Sequence, residues 1–128
     1  MTDMRSDQGK AVIVEDSPLV ADELAAKLGD LGYEVCGVTA SPAEAMTLID
    51  RYDPDVVTLD INLRDASEGL GVATVLRATA TVPIVFVTGS ASEDMLAELE
   101  GFEASAVVRK PFTKDELAEG VERARNGG

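Results

Sequence analysis

The chain has 128 residues, enough for one domain with a core of its own. Hydrophobic residues make up 45% and charged residues 27%, the balance of a globular protein and not of a disordered one. A formal net charge of −13 argues against direct nucleic-acid binding, because a phosphate backbone would be repelled.

The N-terminal MTDMRSDQG lacks the apolar core of a signal peptide, so residues 1–8 read as a flexible tail ahead of a domain at 9–125. KAVIV (10–14) predicts a strand. Ser17-Pro18 then reads as a helix cap with Pro in the first turn, and Val20, Leu24, Leu28 and Leu31 recur at helical spacing. Gly29 and Gly32 end that helix. YEVCGV (33–38) predicts a second strand. It holds Cys36, the single cysteine, which rules out an intrachain disulfide and reads as an inert buried thiol. Ser41-Pro42-Ala43-Glu44 has the pattern of a capping box, opening a helix that buries Ala45, Met46, Ile49 and Tyr52.

After a turn at DPD (53–55), VVTLD (56–60) predicts a third strand. A polar, Gly-bearing loop over 62–71 leads into a helix with Val72, Val75 and Leu76. VPIVFVT (82–88) predicts a fourth strand, and Ser90 to Glu93 a capping box for a helix with Met95, Leu96 and Leu99. SAVVRK (105–110) predicts a weaker fifth strand. Thr113 to Glu116 caps a last helix carrying Leu117, Val121 and Ala124, in which Gly120 costs about 1 kcal/mol against Ala. Residues 126–128 form a short tail. No apolar stretch is long enough to span a membrane, so a cytoplasmic protein is expected.

Five strand–helix units in alternation predict an α/β protein. Strands that are continuous apolar runs are buried on both faces, as in a parallel sheet. Right-handed crossovers then place helices on both sides, giving one doubly wound, three-layer α/β/α domain.

The strand ends carry the chemistry. The first runs into Glu15-Asp16, the third stops on Asp60, the fourth on Thr88 and the fifth on Lys110. In a parallel sheet these ends share one edge, where ligands bind. Taken singly, a strand-ending Asp is a solvated loop residue or a cap, a lone Thr a strand former, and a lone Lys a surface residue. Together they point to one pocket. Clustered carboxylates need a proton or a cation between them, and oxygen ligands favour a hard cation such as Mg²⁺. An ammonium and a hydroxyl alongside suit a phosphoryl group, and an aspartate can attack phosphorus to form an acyl phosphate. Asp60, alone and central, is the best nucleophile. There is no histidine, which removes Ser-His-Asp and Cys-His chemistry and the usual zinc ligands.

VIVEDS (12–17), TLDIN (58–62), VTGS (87–90) and RKPF (109–112), in this order and at these strand ends, resemble the receiver domain of two-component response regulators over about residues 9 to 125. The resemblance implies a flavodoxin-like five-stranded sheet of order 2-1-3-4-5 with five helices. It implies that Asp60 accepts a phosphoryl group from a phosphohistidine of a sensor histidine kinase or phosphotransfer protein. Asp16, Asp60 and the Asn62 backbone carbonyl would bind Mg²⁺, with Glu15 acting through a metal-bound water at a place more often held by Asp. Thr88 would bond a phosphoryl oxygen, Lys110 would pair with the phosphoryl group, and the Lys110–Pro111 bond would be cis. Three residues before the lysine the family usually has Tyr or Phe, a switch coupled to the threonine; here Val107 stands there. The loop from Gly89 to Ser92 is a candidate to respond instead.

These features predict a stand-alone phosphorylatable receiver, read by a downstream protein or serving as a phosphate shuttle or sink. It would be a monomer or a phosphorylation-linked dimer, without direct nucleic-acid or membrane contact, and no enzyme beyond its own phosphorylation and dephosphorylation. The alternative is an interaction module with this fold that does not use phosphorylation. A Mg²⁺-dependent phosphohydrolase is disfavoured because Asn62 stands where it would need a second Asp. GLG (69–71), QGK (8–10) and DPD (53–55) lack the further residues of a dinucleotide fingerprint, a P-loop and a Ca²⁺ loop respectively.

Overall fold

In the computed structural model, which describes residues 8–61, 71–74, 77, 82–89 and 92–127, the apolar runs form five strands. They are β1 (Gly9–Val14), β2 (Tyr33–Thr39), β3 (Val56–Asp60), β4 (Ile84–Thr88) and β5 (Ser105–Arg109). The helices are α1 (Pro18–Asp30), α2 (Pro42–Tyr52), α3 (helical at 71–74 and 77), α4 (Glu93–Glu100) and α5 (Lys114–Arg125). Every strand pair is parallel, and the order is β2-β1-β3-β4-β5, the doubly wound arrangement expected.

Successive side chains of a strand face opposite ways. Ala11 and Ile13 of β1, Val56 of β3 and Val85 and Val87 of β4 therefore pack one face against α1 and α5, meeting Leu24, Leu28, Leu117 and Val121. Val12, Val14, Val57, Leu59, Ile84 and Phe86 pack the other face, with Ala45 and Ile49 of α2, Val72 and Ala73 of α3 and Leu99 of α4. β1, β3 and β4 are central and buried on both faces. The edge strands β2 and β5 are only partly covered. Cys36 is accordingly half-buried, not buried as expected from the sequence. It is also the extra residue of a bulge, since Ala11 pairs with Val35 while Val12 pairs with Gly37.

The helix starts were largely legible. Ser17 accepts from the Val20 N–H (3.4 Å) at the head of α1. Thr113 and Glu116 form a reciprocal capping box on α5 (2.9 and 3.1 Å). Two expected boxes differ. Ser41 accepts from the Glu44 N–H (3.2 Å), but its own N–H donates to Thr39 Oγ1 (3.0 Å), so the return bond from Glu44 is taken by a neighbour. On α4 the cap is Ser92, which accepts from the Met95 N–H (3.1 Å) and makes Glu93 the first helical residue. Ser90 lies outside the described residues, as do Val75, Leu76 and the loop over 62–70. Gly29 stays helical; the turn out of α1 is made by Gly32 at φ 100°, a conformation open to glycine. Met46 and Tyr52 are only half-buried, because Ala45 and Ile49 take the inner stripe of α2.

Gly120 is explained by tertiary contact. A Cβ there would lie 2.6 Å from Val108 Cγ2, so α5 sits on β5 at a distance that only glycine permits. Among the described residues, no helix is long and apolar enough to cross a membrane.

Candidate functional site

Strand register assembles the site. Asp60 is the last residue of β3 and pairs with Val87, one residue before Thr88 at the end of β4. Thr88 pairs with Arg109, and its carbonyl accepts the Lys110 N–H (2.8 Å), which continues the ladder past β5. On the other side the Glu15 N–H donates to the Thr39 carbonyl (2.8 Å), carrying β1 one residue beyond its end. Parallel pairing thus places the ends of β1, β3, β4 and β5 in one row.

Glu15 and Asp60 are 4% and 2% exposed, unusual burial for two acids. Lys110 answers both. Its Nζ lies 3.3 Å from Glu15 Oε1 and 3.5 Å from Asp60 Oδ2. Asp16 is exposed at the rim. Each of Glu15, Asp16 and Asp60 offers a carboxylate oxygen within 4.8 Å of the others, a spacing that one cation can bridge. The Ser17 N–H donates to Glu15 Oε2 (3.1 Å), so the residue that caps α1 also steers Glu15. The sequence reading missed that contact; Ser17 standing two residues beyond an acid at a helix start was the available signal.

Protonation follows from this crowding. Burial pushes Glu15 up from its ordinary 4.5 to about 7, reinforced by a side-chain hydrogen bond with Asp60 and by the Asp60 charge. The Ser17 N–H and the Lys110 charge pull the other way. A hydrogen bond between two carboxyls needs a proton, and Glu15 takes one up as pH falls through about 7. A divalent cation would displace it.

Thr88 is fully buried, and its hydroxyl has no hydrogen-bond partner among the described residues. An orphaned buried hydroxyl at the head of the carboxylate row fits an oxygen-rich ligand that would complete it. The donor set also fits a hard divalent cation: oxygen ligands only, with two buried acids that repel unless neutralised. The Lys110–Pro111 bond is cis, and Phe112 is buried against the α1 and α5 layer with Lys27 Nζ 5.6 Å from its ring centroid. The structure therefore brings Glu15, Asp16, Asp60, Thr88 and Lys110 to one edge, while Asn62 lies outside the described residues. Val107 is half-buried on the opposite face of β5 from Val108, against the α2–α4 layer.

Comparison with known proteins agrees with this geometry. A family profile described as the response regulator receiver domain matches residues 11–122. The chain is 40% identical over 119 residues to the sensory transduction protein RegX3 of Mycobacterium tuberculosis, covering 91% of this chain and 51% of that protein. It is 41% identical over 118 residues to the positive alginate biosynthesis regulatory protein of Pseudomonas aeruginosa, covering 88% of this chain and 46% of that one. The chain thus spans about half the length of these relatives. Among solved structures, the signal receiver domain of a modulated diguanylate cyclase from Desulfovibrio desulfuricans superposes with a TM-score of 0.79 at 31% identity, covering 92% of this chain and 94% of that one.

Proposed function

The chain belongs to the response regulator receiver domain family, and from that membership we propose that Asp60 is its phosphoacceptor. The observation that carries the reading is Asp60 itself, 2% exposed, between the Glu15 carboxylate and the Lys110 ammonium. An Asp60 oxygen attacks the phosphorus of a phosphohistidine on a partner. The new O–P bond forms as the P–N bond breaks, and the electron pair leaves with the imidazole nitrogen. Asp16 and Asp60 would hold Mg²⁺ directly together with the Asn62 carbonyl, and Glu15 through a bound water. The cation, when bound, supplies charge neutralisation among the acids and the phosphoryl oxygens. Lys110 holds charge beside the phosphoryl oxygens, and Thr88 supplies the hydroxyl that bonds one of them.

The partners of this reading are a sensor histidine kinase or histidine phosphotransfer protein, and a downstream protein that reads the phosphorylated state. Shuttling or draining phosphoryl groups is compatible with the same site. The chain would act in the cytoplasm, without direct nucleic-acid contact given its charge of −13, and as a monomer or a phosphorylation-linked dimer. It would be no enzyme apart from making and hydrolysing its own acyl phosphate.

Incubation with Mg²⁺ and acetyl phosphate, or titration with beryllofluoride, tests this by intact mass or NMR. An adduct on the wild type that is absent from Asp60→Asn is expected. No adduct, or one that persists in Asp60→Asn, would refute it. Val107 favours the second reading, an interaction module independent of phosphorylation, because no aromatic ring stands there to couple to Thr88. That reading predicts the same partner binding by wild type and Asp60→Asn.

A further inference from the structure

Lys110 stands just past the end of β5, and α5 begins at Lys114, shortly after it. The backbone is fixed on the upstream side, where the Lys110 N–H donates to the Thr88 carbonyl (2.8 Å). On the downstream side Phe112 is the only buried side chain between Val108 and Leu117. It sits in the apolar cluster with Ala21, Leu24 and Leu28 of α1, so one ring pegs the segment that carries Lys110 to that helix. A cation lies over the ring. Lys27, in the last turn of α1, has its Nζ 5.6 Å from the Phe112 ring centroid and 2.9 Å from Glu23 Oε2. The Lys27 side chain is 25% exposed, so its stem lies along the protein and does not extend into water.

We propose that Lys27 is a positioning residue for Lys110, acting through Phe112. The role rests on Asp60 being the phosphoacceptor and deepens that reading. A cation over an aromatic face is attracted by the ring quadrupole, and a half-exposed site keeps part of that attraction. Glu23 fixes the Lys27 ammonium from one turn back on α1, so the cation holds the ring at a set place along the helix. The seat of the ring fixes the Phe112 backbone, and through Pro111 the start of the Lys110 side chain. From that start the Lys110 ammonium reaches to 3.5 Å from Asp60 Oδ2. A Glu–Lys pair one turn apart on a helix is by itself an ordinary surface contact that adds a little helix stability. Such a contact predicts no change at the sheet edge, whereas a peg on the Lys110 segment does.

The test compares wild type with Lys27→Met, which keeps the stem and loses the charge, and with Lys27→Arg, which keeps the charge. Mg²⁺ affinity is measured by calorimetry, and beryllofluoride affinity at saturating Mg²⁺. Lys27→Met should weaken beryllofluoride binding about threefold, the scale of one half-exposed cation–π contact. Its Mg²⁺ affinity should be unchanged, because Lys27 is not among the groups that would hold the cation. Lys27→Arg should bind beryllofluoride as the wild type does, and the Lys110 ammonium resonance should shift in Lys27→Met alone. The Lys27→Met change is then repeated in Phe112→Leu, which keeps an apolar peg without a ring, and there it should not alter beryllofluoride affinity. A loss of the same size in Phe112→Leu would come from the missing charge acting through space, and overturns the role of the ring. Equal beryllofluoride affinity in wild type and Lys27→Met, with an unmoved Lys110 resonance, overturns the proposal alone, whatever happens to the melting temperature. Absence of any adduct on the wild type overturns the phosphoacceptor reading, and the proposal with it.

Discussion

Glu15→Gln should change how stability depends on pH. Glu15 is raised from its ordinary 4.5 to about 7 in the folded, metal-free protein, chiefly by burial. A carboxyl raised on folding binds its proton more tightly in the native state than in the unfolded one. Its contribution is fully present below pH 4.5 and is lost as pH rises through about 7. A displacement of that size corresponds to ~3 kcal/mol between the two protonation states. Wild-type stability, measured by urea denaturation in chelator at steps from pH 4.5 to 8, should therefore fall by about 2 to 3 kcal/mol more than that of Glu15→Gln over the same range. The difference between the two curves reports the Glu15–Asp60 pair, because the titrating groups outside it are common to both. Mg²⁺ should stabilise the wild type more at pH 8 than at pH 5.5, since a cation binds the deprotonated pair. Parallel curves for the two proteins would refute the claim that Glu15 takes up a proton as pH falls through about 7.

Three further outcomes test packing and the site. Gly120→Ala gains about 1 kcal/mol of helix propensity but places a methyl 2.6 Å from Val108 Cγ2, so thermal melts should show a net loss of about 1 to 3 kcal/mol; a stabilised variant would show that α5 can shift outward at little cost. Thr58 is fully buried in β3 with no hydrogen-bond partner for its hydroxyl among the described residues, so Thr58→Val should gain about 1 kcal/mol in denaturant titrations, and a loss would reveal a partner on that hydroxyl. Lys110→Ala should weaken the beryllofluoride adduct about tenfold or more while the protein still binds Mg²⁺, because the ammonium serves the phosphoryl group and not the cation; an equal response to beryllofluoride in both proteins would remove Lys110 from that role.

Much of this protein is written in local pattern. Alternating apolar runs and helical stripes give five strand–helix units because backbone periodicity alone decides which side chains share a face. Central strands announce themselves: VVTLD and IVFVT are mostly apolar and are buried along their whole length. Ser17 and Thr113 work as caps because a cap bonds an N–H only two or three residues away. Parallel pairing then makes the strand ends converge, which is why Glu15, Asp60, Thr88 and Lys110 could be assigned to one site from the order of the strands.

Other properties belong to the tertiary structure. Ser41 kept one capping bond and lost the other to Thr39, a residue of the preceding strand. Cys36 is half-buried because β2 falls at the edge of the sheet and carries a bulge. Gly120, a defect when read along its helix, is what lets α5 approach Val108. The raised Glu15 carboxyl beside Asp60, and the ion pairs of Lys110 with both acids at 3.3 and 3.5 Å, depend on residues 45, 95 and 50 positions apart being brought together. Sequence periodicity settles which face of an element is apolar, because that needs only neighbours along the chain. The strength of a charge pair, the loss of water around an acid and the room for a methyl group vary steeply over a few tenths of an ångström. Those distances are set only when register and layer packing bring separate elements together.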